Sequence, residues 1–110
     1  MFIIVNMKKA SYNILPVTEN ILQTVGEQIR LARLRRGLSV QLISQRAGIC
    51  RSTLWKVESG DPGVAMGIYA AVLHALNDMD KDLLLVARDD ELGKHLQDLD
   101  LLKHGSSRRS

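Results

Sequence analysis

The chain has 110 residues, a formal net charge of +3 and an ordinary share of hydrophobic and charged side chains, 45% and 25%. That length fits one domain with a modest core, and the composition excludes collagen, disulfide scaffolds and global low-complexity disorder. A single cysteine, Cys50, excludes an internal disulfide and fits a reducing compartment.

In chain order, residues 1–19 show no sustained period, and Lys8, Lys9, Ser11, Asn13 and Pro16 read as an irregular N-terminal arm. Its apolar run, Met1 to Val5, is too short for the core of a signal peptide, and Met7 is an alternative start. No apolar run approaches the ~20 residues that cross a bilayer, so a soluble cytoplasmic protein is expected. Asn20 is a fair N-cap, and Ile21, Val25, Ile29 and Ala32 then lie on one helix face. Gly37 ends that helix after a basic last turn, Arg33, Arg35 and Arg36.

Ser39 caps a second helix with Val40, Ile43 and Ala47 apolar, and Gly48 stops it. A third helix spans Arg51 to Glu58, with Leu54 and Val57 inward and Arg51, Ser52, Trp55 and Lys56 on other faces. The breaker cluster Ser59 to Gly63 follows. A fourth helix covers about 65–76, burying Ile68, Val72, Ala75 and Leu76. The run Leu83 to Ala87 is ambiguous between strand and buried helix; its leucines and a cap at Asp80 favour helix. A sixth helix is expected over Asp89 to Leu99, with Leu92, Leu96 and Leu99 in register and the acids at its start suiting its dipole. The tail, 103–110, is polar.

The charge is sorted along the chain. Residues 20–60 carry seven basic groups against two acidic ones, and residues 61–102 carry three against nine. The first segment suits a polyanion and the second a protein partner; for each, a plainly solvated helix face is the other reading.

Residues 39–60 are two short helices around a glycine bend. Ser44 and Ala47 let the helices approach, and Ile43, Ile49, Leu54 and Val57 hold their crossing from inside. This is a helix-turn-helix arrangement, whose second helix enters the major groove of DNA. Any small helical hairpin shares the bare topology; the basic surplus and the polar outer face of the second helix separate the two readings.

The stretch Val25 to Arg33, then Gly37-Leu38-Ser39, then Ala47 to Gly60, resembles the Cro/C1-type (XRE) DNA-binding family over about residues 21–76. The following residues, Pro62 to Leu76, Asp82 to Val86 and Leu92 to Leu99, are similar to HipB-type antitoxins, partners of HipA-type Ser/Thr kinase toxins. The resemblance implies an all-α, five- to six-helix, lambda-repressor-like domain that binds palindromic double-stranded DNA as a homodimer and represses transcription. On that basis the chain divides into an arm (1–19), a DNA-binding domain (20–77), a helical extension for dimer or partner contact (78–102) and a tail (103–110).

Carried over position by position, the resemblance makes Arg51, Ser52, Trp55 and Lys56 base-reading residues and puts Gln41 near a phosphate. Arg33 and Glu58 become a structural ion pair, leaving Arg30, Arg36 and Arg46 peripheral. This chain departs from the pattern at Val40, where a polar residue is usual, at Cys50, where a capping Ser or Thr is usual, and at Trp55, which lies on DNA or folds back on the protein. Met66, Tyr69, Leu73 and residues 83–86 supply apolar surface for a dimer.

His74, His95 and His104 have no ligand spacing with one another or with Cys50, so no metal and no other cofactor is expected. Cys50, beside Arg51 at a helix start, is a candidate for a lowered thiol pKa; capping or packing is the other reading. No catalytic constellation is visible, so the chain is not expected to be an enzyme. Three functions compete: a repressor that is also the antitoxin of a HipA-like kinase, a stand-alone regulator, and an adaptor that has lost DNA binding.

Overall fold

The computed structural model describes residues 13–104, which form five α-helices and one 3₁₀ helix with no strand among them. Sequence expectations for residues 1–12 and 105–110 lie outside the described residues. No described helix is long and apolar enough to cross a membrane.

Helix α1 is Pro16–Arg35. Its N-cap is Leu15, five residues before the expected cap at Asn20. Pro16 was expected to break structure, but it sits at the first helical position, where its fixed φ is suitable and its missing N–H costs nothing. Residues 16–19 therefore belong to the helix and not to an irregular arm. Ile29 and Ala32 are buried as expected, whereas Ile21 and Val25 are exposed, because the first half of α1 extends past the core.

Helix α2 is Val40–Ala47. The Ser39 hydroxyl caps it, accepting from Leu42 N at 3.0 Å. Gly48 closes it at φ 70°, ψ 33°, a left-handed conformation that glycine adopts without a Cβ clash. Helix α3 is Arg51–Glu58 and α4 is Met66–Ala75. Asn77 and Asp78 then both take φ 66°, which ends the helical path.

The core is the place where these four helices meet. Ile29 and Ala32 of α1, Ile43 of α2, Leu54 and Val57 of α3, and Val72, Ala75 and Leu76 at the end of α4 form one buried cluster. Ile68, expected inside, is half-buried beside it, as are Tyr69 and Leu73. Truncating a residue as enclosed as Leu54 to alanine costs about 2–5 kcal/mol. The Tyr69 hydroxyl donates to the Asp61 carbonyl at 2.8 Å, tying the loop after α3 to α4. Burial, and then the nearby Asp61 carboxylate, push the Tyr69 phenol above its usual pKa.

The ambiguous leucine run resolves as neither strand nor buried helix. Met79–Leu85 is a 3₁₀ helix packed against α4, followed by extended Val86. Leu84, Leu85 and Val86 are exposed. Helix α5, Glu91–His104, runs five residues beyond the expected end at Leu99 and takes in part of the expected tail. The Asp90 carboxylate caps it, accepting from Gly93 N at 3.0 Å.

Candidate nucleic-acid interface

Helix α3 divides into two faces. Leu54, Val57 and Glu58 are buried, and Arg51, Ser52, Trp55, Lys56 and Ser59 are exposed. At 100° per residue the exposed set falls within one contiguous strip, because i, i+1, i+4 and i+5 neighbour one another. The strip carries two cations, two hydroxyls and an indole, and no acid. Trp55 is 74% exposed, so its ring is not folded back on the protein. Gln41, in the first turn of α2, is also exposed. Free N–H groups at a helix start favour an anion there.

Three contacts set the pose of α3. The first is the Gly48 turn, which brings α2 and α3 together around Ile43 and Leu54. Ser44 of α2 is buried, and its hydroxyl makes no hydrogen bond among the described residues.

The second contact is an ion pair between α1 and the end of α3. Arg33 Nε donates to Glu58 Oε2 at 2.7 Å, and Nη2 donates to Oε1 at 3.2 Å. Nη1 donates to the Leu38 carbonyl at 3.0 Å. Both residues are 8% exposed. Arg33 is thus committed to the protein's interior and is not part of the basic surface.

The third contact was not singled out from sequence. Gly26 of α1 lies against Gly60, just past α3, backbone to backbone. A Cβ at Gly26 would sit 2.5 Å from Gly60 N and 2.8 Å from the Glu58 carbonyl oxygen. A Cβ at Gly60 would collide with the Leu22 carbonyl. These two glycines are 34 positions apart, so no local pattern signals the contact.

The peripheral arginines have their own partners. Arg30 pairs with Glu27 at 3.1 Å, a surface contact worth little. Arg36 donates to the Ala32 carbonyl and Arg46 to the Ala75 carbonyl, each at 3.2 Å. Both satisfy helix C-terminal oxygens.

Cys50 occupies the N-cap position of α3 and gives no side-chain cap bond to its backbone. Its sulfur instead lies 3.1 Å from the Ser52 hydroxyl and 3.2 Å from the Thr53 hydroxyl. These hydroxyl contacts, Ser52 first, stabilise the thiolate and bring the exposed thiol down to about 7.

Elsewhere, His74 Nδ1 lies 3.3 Å from both Asp78 and Asp80. This trio is the group of potential ligand atoms the structure brings together, within 4.8 Å of one another, among the described residues. The i, i+4 spacing of His74 and Asp78 was readable in the sequence; Asp80 joins them through the left-handed turn. Arg46 lines the same shallow cleft, so a positive charge already shares it. Of the apolar residues expected to form a dimer surface, Tyr69 and Leu73 are packed against the core, while Met66, Leu84, Leu85 and Val86 remain exposed.

Two short helices about a left-handed glycine, the second presenting a basic strip, define a helix-turn-helix DNA-binding domain. A helix-turn-helix domain family model matches residues 24–84, more than half of the chain, and the chain belongs to that family. No curated protein and no solved structure matches it. Membership supports a DNA-binding regulator, in a family whose domains are typically not enzymes.

Proposed function

We propose that this protein is a sequence-specific transcriptional repressor, acting as a two-fold dimer on a palindromic operator. The observation that carries the proposal is the acid-free exposed strip of α3, Arg51, Ser52, Trp55 and Lys56, opposite a fully buried face. A major groove about 12 Å wide accepts one such helix. Arg51, at the entering end, pairs with a guanine edge through two hydrogen bonds. Lys56 meets a phosphate or a base, Ser52 bonds either edge, and Gln41 holds a phosphate at the start of α2. Trp55 lies against sugars or a thymine methyl, where an apolar ring with one donor is at home. The dimer sets two such helices in successive grooves about 34 Å apart.

The antitoxin reading is a further step and rests on the resemblance of residues 62–99 to HipB-type proteins. The acidic flank, Asp78 to Glu91 and Asp98 to Asp100, is the surface a HipA-like kinase would use. Co-purification with a kinase encoded beside it supports this reading; a chain that represses with no such neighbour is a stand-alone regulator.

Titration with DNA from upstream of its own gene, at two salt concentrations, tests the proposal. Trp55 is the one tryptophan of the chain, so its emission reports on the strip directly. Selective, salt-sensitive binding that changes Trp55 emission and weakens about ten- to a hundredfold in Arg51→Ala is expected. Unselective binding, or an unaffected Arg51→Ala, overturns the assignment. A chain that ignores DNA moves the adaptor reading to first place.

A further inference from the structure

One side chain of the exposed strip differs in kind from the rest. At 100° per residue, Arg51 and Lys56 lie about 140° apart around α3, and Trp55, Ser59 and Ser52 lie between them. The others are polar. Trp55 is an apolar ring, 74% exposed, and its side chain has no hydrogen-bond or ring partner among the described residues. Single apolar side chains are ordinary on a protein surface. This one is set apart by its place, inside an acid-free strip and between its two cations. Any surface that the cations attract is brought against the indole as well.

On the DNA reading proposed above, that surface is the major groove. A seated helix turns the middle of its outer strip to the groove floor and the margins to the phosphate walls. Arg51 and Lys56, on long flexible stems, reach wall or floor from the margins. Trp55 has only two rotatable side-chain bonds and meets what lies below it, the base edges. Most of what those edges offer is hydrogen-bond donors and acceptors, for which an indole has a single N–H. The apolar feature of the floor is the methyl on C5 of thymine. 5-Methylcytosine carries the same group on the same atom. Trp55 stands one helical turn beyond Arg51, about 6 Å along the axis, which places that methyl within about two base pairs of the guanine that Arg51 takes.

We propose that Trp55 reads the C5 methyl of a pyrimidine near the Arg51 contact, thymine in unmodified DNA. The assignment rests on the DNA reading and deepens it, committing the indole to a base in preference to a sugar. The methyl and the ring face lose water together when they meet, and a uracil in the same place leaves the ring without its partner.

The test uses the full chain and the duplex from upstream of its gene, made with thymidine, with deoxyuridine in its place, or with 5-methyldeoxycytidine in place of deoxycytidine. Anisotropy of the labelled duplex reads affinity. Burying one methyl is worth about fourfold, so two half-sites give about fifteenfold. The parent should bind the deoxyuridine duplex about that much more weakly than the thymidine duplex. Trp55→Ala should bind the two alike, and Trp55→Phe, which keeps an apolar ring, should retain most of the difference. Any effect of deoxyuridine on the duplex itself is common to parent and variant. Because Trp55 is exposed, the thermal melt of Trp55→Ala should match the parent's, which separates a lost contact from lost folding. Indifference to deoxyuridine, with a gain on the 5-methylcytosine duplex that Trp55→Ala abolishes, keeps the methyl contact and moves it to methylated cytosine. Indifference to both replacements, or a difference that Trp55→Ala retains, overturns the assignment and leaves selective binding through Arg51 standing. A chain that binds no duplex selectively overturns the DNA reading, and the assignment with it.

Discussion

Arg33 and Glu58 offer a clean test of what holds α3 in place. The perturbation is a cycle of three variants, Arg33→Met, Glu58→Leu and the two together. The side chains are 10% and 6% exposed, so water cannot replace a lost partner in full. Either single substitution leaves a buried charge alone, at a cost of about 3–5 kcal/mol. In a domain whose total stability is about 5–15 kcal/mol, that is a large fraction. With a urea slope of about 1.5 kcal/mol per molar, the midpoint falls by about 2–3 M. The double variant leaves no orphan charge and replaces the pair with apolar volume. Its cost should stay below about 2 kcal/mol, so the two sites are strongly non-additive. The Leu38 carbonyl loses its Arg33 donor in both Met variants, a shared cost that cancels in the coupling term. Urea unfolding of all four proteins measures the cycle. Single variants that each cost under about 1 kcal/mol, or a double equal to their sum, would refute the reasoning.

Two further predictions rest on single atoms. Ser44→Ala deletes a buried hydroxyl that has no hydrogen-bond partner among the described residues, and should be neutral or stabilising by about 1 kcal/mol in the same assay; a loss of more than that would show a hidden partner. Cys50 should alkylate with a midpoint near pH 7 and not near 9.0, and a rate still climbing at pH 9 would contradict the hydroxyl contacts. Under the proposed DNA reading its sign follows: the thiol is neutral below about pH 7 and an anion above it, at the start of the helix that would lie against the polyanion. Affinity should therefore fall between pH 6 and 8 in the parent and stay level in Cys50→Ser.

The parts of this protein legible in its sequence are those governed by local rules. Ser39, Gly48 and the buried spacing of Leu54 and Val57 delimit α2 and α3 to the residue. The exposed strip was legible too, because polar positions one and four apart on a short helix must share a face. The start of α1 was not, since proline breaks a helix in its middle and opens one at its first turn, and spacing alone does not distinguish the two. Residues 79–86 were ambiguous because consecutive leucines carry no period; the outcome, a 3₁₀ helix packed against α4 with Leu84 and Leu85 in solvent, is tertiary. The apposition of Gly26 and Gly60 is tertiary and leaves no trace in either neighbourhood.

The division of α3 into two faces has a consequence for change over time. Positions 51, 52, 55 and 56 are exposed, and positions 54, 57 and 58 are buried. If α3 reads DNA as proposed, substitutions in the first set would alter which sequence is read at little expense to folding, and substitutions in the second would alter folding while leaving the reading chemistry intact. On that reading the helix could be re-addressed to a new operator one side chain at a time, with the scaffold underneath indifferent to the message it carries.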